Sequence, residues 1–78
     1  MTQYFLVHNG YEIVKLNKGI TEEKVNELLG SEYITEPGKH VGELKRVYDF
    51  KKMGASKNLY KLLLREGQLE WIMKVSQN

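Results

Sequence analysis

The segment from residue 59 to residue 75 is close to a mirror image of itself about the dipeptide Glu66-Gly67. A two-residue turn at this dipeptide predicts a β-hairpin, and the turn fixes which residues of the two strands face each other. The facing pairs are Arg65 with Gln68, Leu64 with Leu69, Leu62 with Trp71, and Tyr60 with Met73. Since side chains alternate between the faces of a strand, the last three pairs share one apolar face. We therefore predict that this face, which carries the only tryptophan of the chain, lies in the core.

The length and composition indicate one small globular domain, residues 1–78, without covalent cross-links. At this size a single core contributes only about 3–5 kcal/mol of net stability, so core packing or a partner subunit must hold the fold. The chain has no cysteine and two histidines, so we expect no disulfide, no metal site and no cofactor. No apolar run approaches the roughly 18–20 residues of a membrane-spanning helix, and no signal peptide is evident. We expect a cytoplasmic protein without membrane contact.

The dipeptide Asn9-Gly10 lies between two β-prone runs and predicts a second hairpin with a two-residue turn. Both faces of this hairpin are then partly apolar, which favours a neighbour on each face or a central position in the sheet. The facing pairs are Val7 with Glu12, Leu6 with Ile13, Phe5 with Val14, and Tyr4 with Lys15.

A short helix is predicted to begin at Thr21, a residue type that caps helix N-termini. Glu22 and Glu23 follow it, and acidic side chains suit the positive end of the helix dipole. Gly30 is a natural residue for the position just after the last helical turn. The buried stripe of this helix is formed by Val25, Leu28 and Leu29.

Residues 32–36 predict a short edge strand that ends at the turn Pro37-Gly38. Residues 39–53 fit either a helix, through Val41, Leu44 and Tyr48, or a strand, through alternation at Leu44, Arg46, Tyr48 and Phe50. Gly42 and the position of Phe50 favour the strand, which would join the last hairpin in a three-stranded meander.

The combined prediction is an α+β fold in the order β-β-α-β-β-β-β. Two hairpins and one short helix would form a strongly bent antiparallel sheet or a partly closed barrel around the helix.

The charges are unevenly distributed, and residues 39–65 form a basic block with eight basic against two acidic side chains. If this region is a strand, Arg46 lies beside Tyr48 and Phe50, an arrangement typical of platforms for single-stranded nucleic acid. The competing interpretation places these aromatic residues in the core and the lysines on a solvated face. Nucleic-acid binding is therefore the alternative function. Its candidate residues are Lys45, Arg46, Tyr48, Phe50, Lys51, Lys52 and Lys57.

No motif in the sequence predicts catalysis, and we expect that the protein is not an enzyme. The serines lack the turn motif of a nucleophile, and a single glycine before the helix does not make a phosphate loop. His8, and His40 with Glu43, are the remaining candidates, and each fits a solvated turn or loop better than an acid–base pair. We predict neither catalytic residues nor a small-molecule substrate.

One short helix cannot cover the apolar surface of two hairpins, so part of that surface is left for another molecule. We therefore predict a non-enzymatic binding or accessory protein that acts through protein–protein contacts. A homodimer joined through a sheet face or an edge strand is its economical form. The small size and lysine-rich composition are typical of accessory proteins of bacteria, bacteriophages and mobile elements. The candidate interface residues are Leu59, Leu63, Ile72, Phe5 and Val7.

Overall fold

A computed structural model describes residues 3–50 and 59–75 of the chain. In these two ranges the elements are β1 (Tyr4–His8), β2 (Ile13–Asn17), α1 (Glu22–Leu29), β3 (Ile34–Pro37), β4 (Glu43–Asp49), β5 (Leu59–Arg65) and β6 (Gln68–Val75). The α+β class and the order of elements are as predicted. No helix in this part of the chain is long and apolar enough to cross a membrane.

The strands form two antiparallel sheets, one with the order β1-β2 and one with the order β3-β4-β5-β6. The described strands close no barrel, and β1-β2 is not hydrogen-bonded into the larger sheet. The prediction of a single bent sheet or a partly closed barrel is therefore not supported.

The first hairpin turns through four residues instead of two, so that His8 faces Ile13. The reason is Asn9, whose Oδ1 atom accepts the N–H groups of Tyr11 and Glu12, both at 2.9 Å. This side-chain acceptor stabilises a wider turn than the dipeptide predicts. The predicted register is consequently wrong by two residues, which changes the facing pairs but leaves each residue on the same face of the hairpin.

In the observed register, one face of the first hairpin is directed towards the core and the other towards solvent. The face towards the core carries Phe5, Val7, Val14 and Leu16, and the opposite face carries Tyr4, Leu6, His8, Ile13 and Lys15. The expected neighbour on each face is wrong for the described residues, because the second face is exposed.

The helix forms as its sequence predicts. Thr21 is the N-cap, and its hydroxyl accepts the N–H of Lys24 at 3.2 Å. Gly30 ends the helix with a φ of 90°, a conformation that glycine adopts without strain. Val25 and Leu29 are buried, which fixes the helix against the sheet.

The ambiguous residues 39–53 contain strand β4, which pairs with β5 along its whole length. Strand β3 pairs with β4 at one edge of the sheet, as predicted for a short edge strand. The meander β4-β5-β6 is therefore confirmed, and β3 extends it to four strands.

The last hairpin has the predicted turn but not the predicted register beyond it. Glu66 and Gly67 have positive φ angles of 53° and 77°, and Arg65 faces Gln68. A β-bulge then shifts the register by one residue, because Glu70 has no partner on β5. The pairs beyond it are Leu63 with Trp71, Leu62 with Ile72, and Lys61 with Met73.

The core lies between one face of the four-stranded sheet and a layer made of α1 and the first hairpin. Its buried side chains are Val7, Leu16, Val25, Leu29, Tyr48, Tyr60, Leu62, Leu64, Leu69 and Ile72. Backbone hydrogen bonds join the layers as well, since Gly19 N–H donates to the carbonyl of Leu69 at 2.6 Å. The His8 N–H likewise donates to the hydroxyl of Tyr60 at 3.0 Å.

Candidate protein-binding face

The side of the four-stranded sheet opposite the core is called the outer face. Residues that face one another across strands share a side of the sheet, so the register defines three rows that cross it. The rows are Ile34-Val47-Lys61-Met73, Glu36-Lys45-Leu63-Trp71 and Asp49-Leu59-Val75. The described helix and first hairpin pack mainly on the other side, and Phe5 of the hairpin reaches one residue of these rows, Trp71.

The outer face carries large apolar side chains that are open to solvent. Trp71 is 51% exposed, Met73 is 50% exposed and Ile34 is 68% exposed. Leu63 lies between Trp71 and β4 and is half-buried. Leu63, Trp71 and Met73 form an apolar band across β5 and β6.

Trp71 belongs to this face because of the bulge at Glu70. In the regular register Trp71 would face Leu62 and enter the core, so the prediction that Trp71 is a core residue is wrong. Ile72 takes that place and is buried. The indole ring is held from one side by Phe5, whose ring meets it edge-on at 5.3 Å between centroids.

The predicted interface residues separate into two groups. Leu59 and Leu63 lie on the outer face, where both are half-buried. Ile72 lies in the core instead, because the bulge exchanges its place with Trp71. Val7 is fully buried and Phe5 packs against the core, since both lie on the face of the first hairpin that packs on the four-stranded sheet.

The charges on the outer face are mixed and partly paired. Lys61 Nζ lies 3.4 Å from Glu36 Oε1, with both side chains partly exposed. Lys45 faces Glu36 directly across β3 and β4. An exposed pair of this kind contributes little to folding stability, about 1 kcal/mol or less. Together, Lys61, Lys45 and Glu36 place positive and negative charges beside the apolar band, as on the polar rim of an interface.

An open groove of about 420 Å³ lies at the β3 end of the outer face. Its apolar lining comes from side chains of β3, β4 and β5, and two acidic residues, Glu32 and Asp49, also line it. The lining residues are Ser31, Glu32, Tyr33, Ile34, Val47, Asp49 and Leu59. The groove extends the apolar band towards the sheet edge.

Arg46, a predicted nucleic-acid contact, is instead a buried structural residue. Its guanidinium donates to Asn26 Oδ1 at 2.7 Å and to Glu22 Oε1 at 3.0 Å. The same group stacks on Tyr33, 4.1 Å from the ring centroid. All three partners come from the helix or the segment after it, so Arg46 ties α1 to the sheet.

The predicted aromatic platform is also inside the molecule. Tyr48 is fully buried, and its hydroxyl donates to the carbonyl of Gly30 at 2.9 Å. Burial raises the pKa of this hydroxyl above its ordinary value, in spite of the nearby Arg46. Phe50 stacks on Tyr48 at 5.5 Å and packs against the core. These rings are therefore not available to stack bases.

Of the lysines predicted to contact nucleic acid, Lys45 is the one within the described residues. Lys45 lies on the outer face and is half-buried. Lys51, Lys52 and Lys57 lie outside the described residues.

The histidines take part in turns. The N–H of Gly10 donates to Nδ1 of His8 at 3.1 Å, beside the first hairpin turn. The backbone N–H of His40 donates to Glu43 Oε1 at 3.2 Å. In the two described ranges no group of three or more His, Cys, Asp and Glu side chains is arranged to hold a metal ion.

A second exposed apolar patch lies on the outward side of the first hairpin. Tyr4, Leu6 and Ile13 are each more than half exposed, and the ammonium of Lys15 lies 4.7 Å from the Tyr4 ring centroid. This patch was not predicted from the sequence, because a neighbouring element was expected on each face of the first hairpin.

A scan against protein-family models, a search of curated proteins and a search of solved structures each found no match.

Proposed function

We propose that this chain is a non-enzymatic binding protein whose outer face docks a partner protein. The observation that carries the proposal is the band of Trp71, Met73 and Leu63 on a sheet face where the described elements leave Trp71 and Met73 about half exposed. The cellular setting expected from the sequence, a cytoplasmic accessory protein of a bacterium, bacteriophage or mobile element, is part of the same proposal.

The chemistry of the band supports a protein partner. Tryptophan and methionine are enriched at protein interfaces, and a few central aromatic side chains often supply most of the binding free energy. Trp71 also has little freedom to reorient, because Phe5 packs against its ring. A partner that presents an apolar centre with charged groups of both signs around it would match the outer face.

Nucleic-acid binding is the weaker candidate. It requires exposed aromatic rings beside basic groups, and Arg46 and Tyr48 are buried in contacts with the helix and the segment after it. Lys61, which is on the outer face, is paired with Glu36. Salt distinguishes the two candidates, because phosphate contacts weaken steeply with ionic strength and an apolar interface does not.

The test compares two aromatic truncations. Trp71 and Tyr4 are both about half exposed, but only Trp71 is on the outer face, so Trp71→Ala is the test and Tyr4→Ala is its matched control. The immobilised wild-type chain captures partners from host lysate, and the affinity of each purified partner is then measured for all three chains.

We expect Trp71→Ala to weaken binding by about 2 kcal/mol, roughly 30-fold, and Tyr4→Ala to leave it unchanged. Binding by the wild-type chain should persist at high salt. Equal affinities for the two variants, or a partner that is nucleic acid and is released by salt, would contradict the proposal.

A further inference from the structure

Strand β6 is the edge of the four-stranded sheet, and only part of that edge is occupied by described residues. The N–H of Leu69 donates to the carbonyl of Ile20 at 2.8 Å, and its carbonyl accepts the N–H of Gly19. No residue within 3–50 or 59–75 makes a backbone hydrogen bond to Trp71–Val75 from this side. Within the described ranges, the second half of the edge therefore has no backbone hydrogen-bond partner on this side, and the ring of Phe5 meets only the side chain of Trp71 there.

The register shows which main-chain groups point to the open side. Because Leu69 directs its N–H and carbonyl away from β5, the pair of Leu64 and Leu69 is a non-hydrogen-bonded one. Hydrogen-bonded and non-hydrogen-bonded pairs alternate along an antiparallel strand, and the bulge adds its extra residue to β6 and not to β5. Leu62 and Tyr60, two and four positions before Leu64, are therefore also in non-hydrogen-bonded pairs. Their partners are Ile72 and Lys74, whose N–H and carbonyl groups face outward.

We propose that a second copy of this chain docks on the open edge by pairing its own β6 antiparallel to it, with the two-fold axis at Met73. In this register Ile72 of each copy faces Lys74 of the other, and these pairs exchange about four backbone hydrogen bonds. The two four-stranded sheets then continue into each other, and their outer faces form one surface.

The occupant is a second copy because the open segment is complementary to itself. A two-fold interface requires each side chain to suit its counterpart in the same sequence. About Met73, the apolar Trp71 faces Val75, Met73 faces Met73, and Lys74 faces Ile72. No like charges are opposite each other, and the cross-strand apolar pairs all fall on the outer face.

This interface is short, and its dissociation constant should be roughly micromolar or weaker, as for interfaces below the standard size. The dimer goes beyond the proposed partner-binding function, since it is held by main-chain groups on the edge of β6, whereas the partner contacts side chains of the outer face. The two can therefore fail separately.

The first test removes one edge donor. The N–H of Lys74 points away from β5, so Lys74→Pro leaves the β5–β6 ladder intact, and proline is tolerated at such edge positions. Lys74→Ala is the control, because it removes the side chain and keeps the N–H. Each chain is studied by sedimentation equilibrium from micromolar to millimolar concentration, and circular dichroism checks its fold.

For the wild type and Lys74→Ala, we expect the mass to rise with concentration from 9.1 kDa towards twice that value. Lys74→Pro should remain at the lower mass. A wild type that stays monomeric at millimolar concentration would overturn the proposal, and so would a folded Lys74→Pro that dimerises as strongly as the wild type.

The second test needs no proline and is independent of the first. The chain has no cysteine, so Met73→Cys introduces a single thiol at the two-fold axis. Facing residues of a non-hydrogen-bonded antiparallel pair have Cα atoms about 4.5 Å apart, which permits a disulfide. Leu6→Cys, at a similarly exposed site on the first hairpin, is the control.

Under mild oxidation we expect the cysteine at position 73 to form a disulfide-linked dimer at least about tenfold faster than the cysteine at position 6. Equal rates at the two positions would overturn the proposed register. The partner-binding proposal is judged separately, by Trp71→Ala and Tyr4→Ala.

Discussion

At the scale of single residues, Glu43 shows how a carboxylate becomes part of a small fold. It begins β4, is 8% exposed, and accepts hydrogen bonds from the guanidinium of Arg65 at 3.0 Å and from the N–H of His40 at 3.2 Å. The hydrogen bond from Arg65 is the main reason that the pKa of Glu43 lies below its ordinary value, and the contact with His40 adds to it. Glu43 therefore joins the β3–β4 turn to the last hairpin.

This network predicts a contribution to acid stability. A carboxyl whose pKa is lower in the folded chain than the unfolded value of about 4.3 stabilises the fold above that value. The contribution is lost as the pH falls through the folded pKa. We therefore expect the free energy of unfolding of wild type to fall more between about pH 7 and about pH 3 than that of Glu43→Gln.

Urea denaturation at the two pH values measures the difference. Glu27→Gln, at an exposed helix position, is the control and should follow wild type. If Glu43→Gln and wild type lost the same stability on acidification, the hydrogen bonds to Glu43 would not stabilise the fold.

At the scale of elements, the helix depends on its attachment to the sheet. An isolated helix of eight residues is not stable in water, so packing must hold it. Val25 and Leu29 supply the apolar contact, and Arg46 supplies two hydrogen bonds from the sheet to Asn26 and Glu22.

Removing this attachment should destabilise the protein. Arg46→Ala leaves the helix acceptors without their buried donor and opens space beside Tyr33, so we expect a loss of about 2–4 kcal/mol. Lys24→Ala is the control, because Lys24 makes an exposed pair with Glu27, worth about 0.5 kcal/mol or less. Chemical denaturation of both variants checks the prediction, and a similar small loss for each would contradict the role given to Arg46.

The elements also show what sequence can and cannot predict here. The helix and the turn at Glu66-Gly67 were predictable, because their signals are local: a capping threonine, a terminal glycine and a turn dipeptide. The two register shifts were not, since each depends on one residue. Asn9 widens the first turn through its side chain, and Glu70 forms a bulge that brings Ile72 into the core. The burial of Arg46 depends on hydrogen-bond partners twenty or more positions away in sequence, Asn26 and Glu22.

At the scale of the whole molecule, the described residues form two layers, and the outer face of the four-stranded sheet is left uncovered. From the sequence we expected more apolar surface than one short helix can cover, and we predicted Leu59 and Leu63 on the face of the last hairpin away from the core, where both lie. The prediction exchanged Trp71 with Ile72, because a regular hairpin was assumed. The bulge therefore determines the proposed function, since it moves the largest side chain of the chain from the core to the surface.

The most direct test of this account is the accessibility of Trp71, the only tryptophan in the chain. Acrylamide quenching of its fluorescence is measured in the native chain at low concentration, in the urea-unfolded chain, and with a bound partner. We expect quenching of the native chain to be substantial, though weaker than in urea, and to fall when the partner binds. A native tryptophan that resists acrylamide as a buried indole does, or one whose quenching does not change in the complex, would contradict the placement of Trp71 on a binding face.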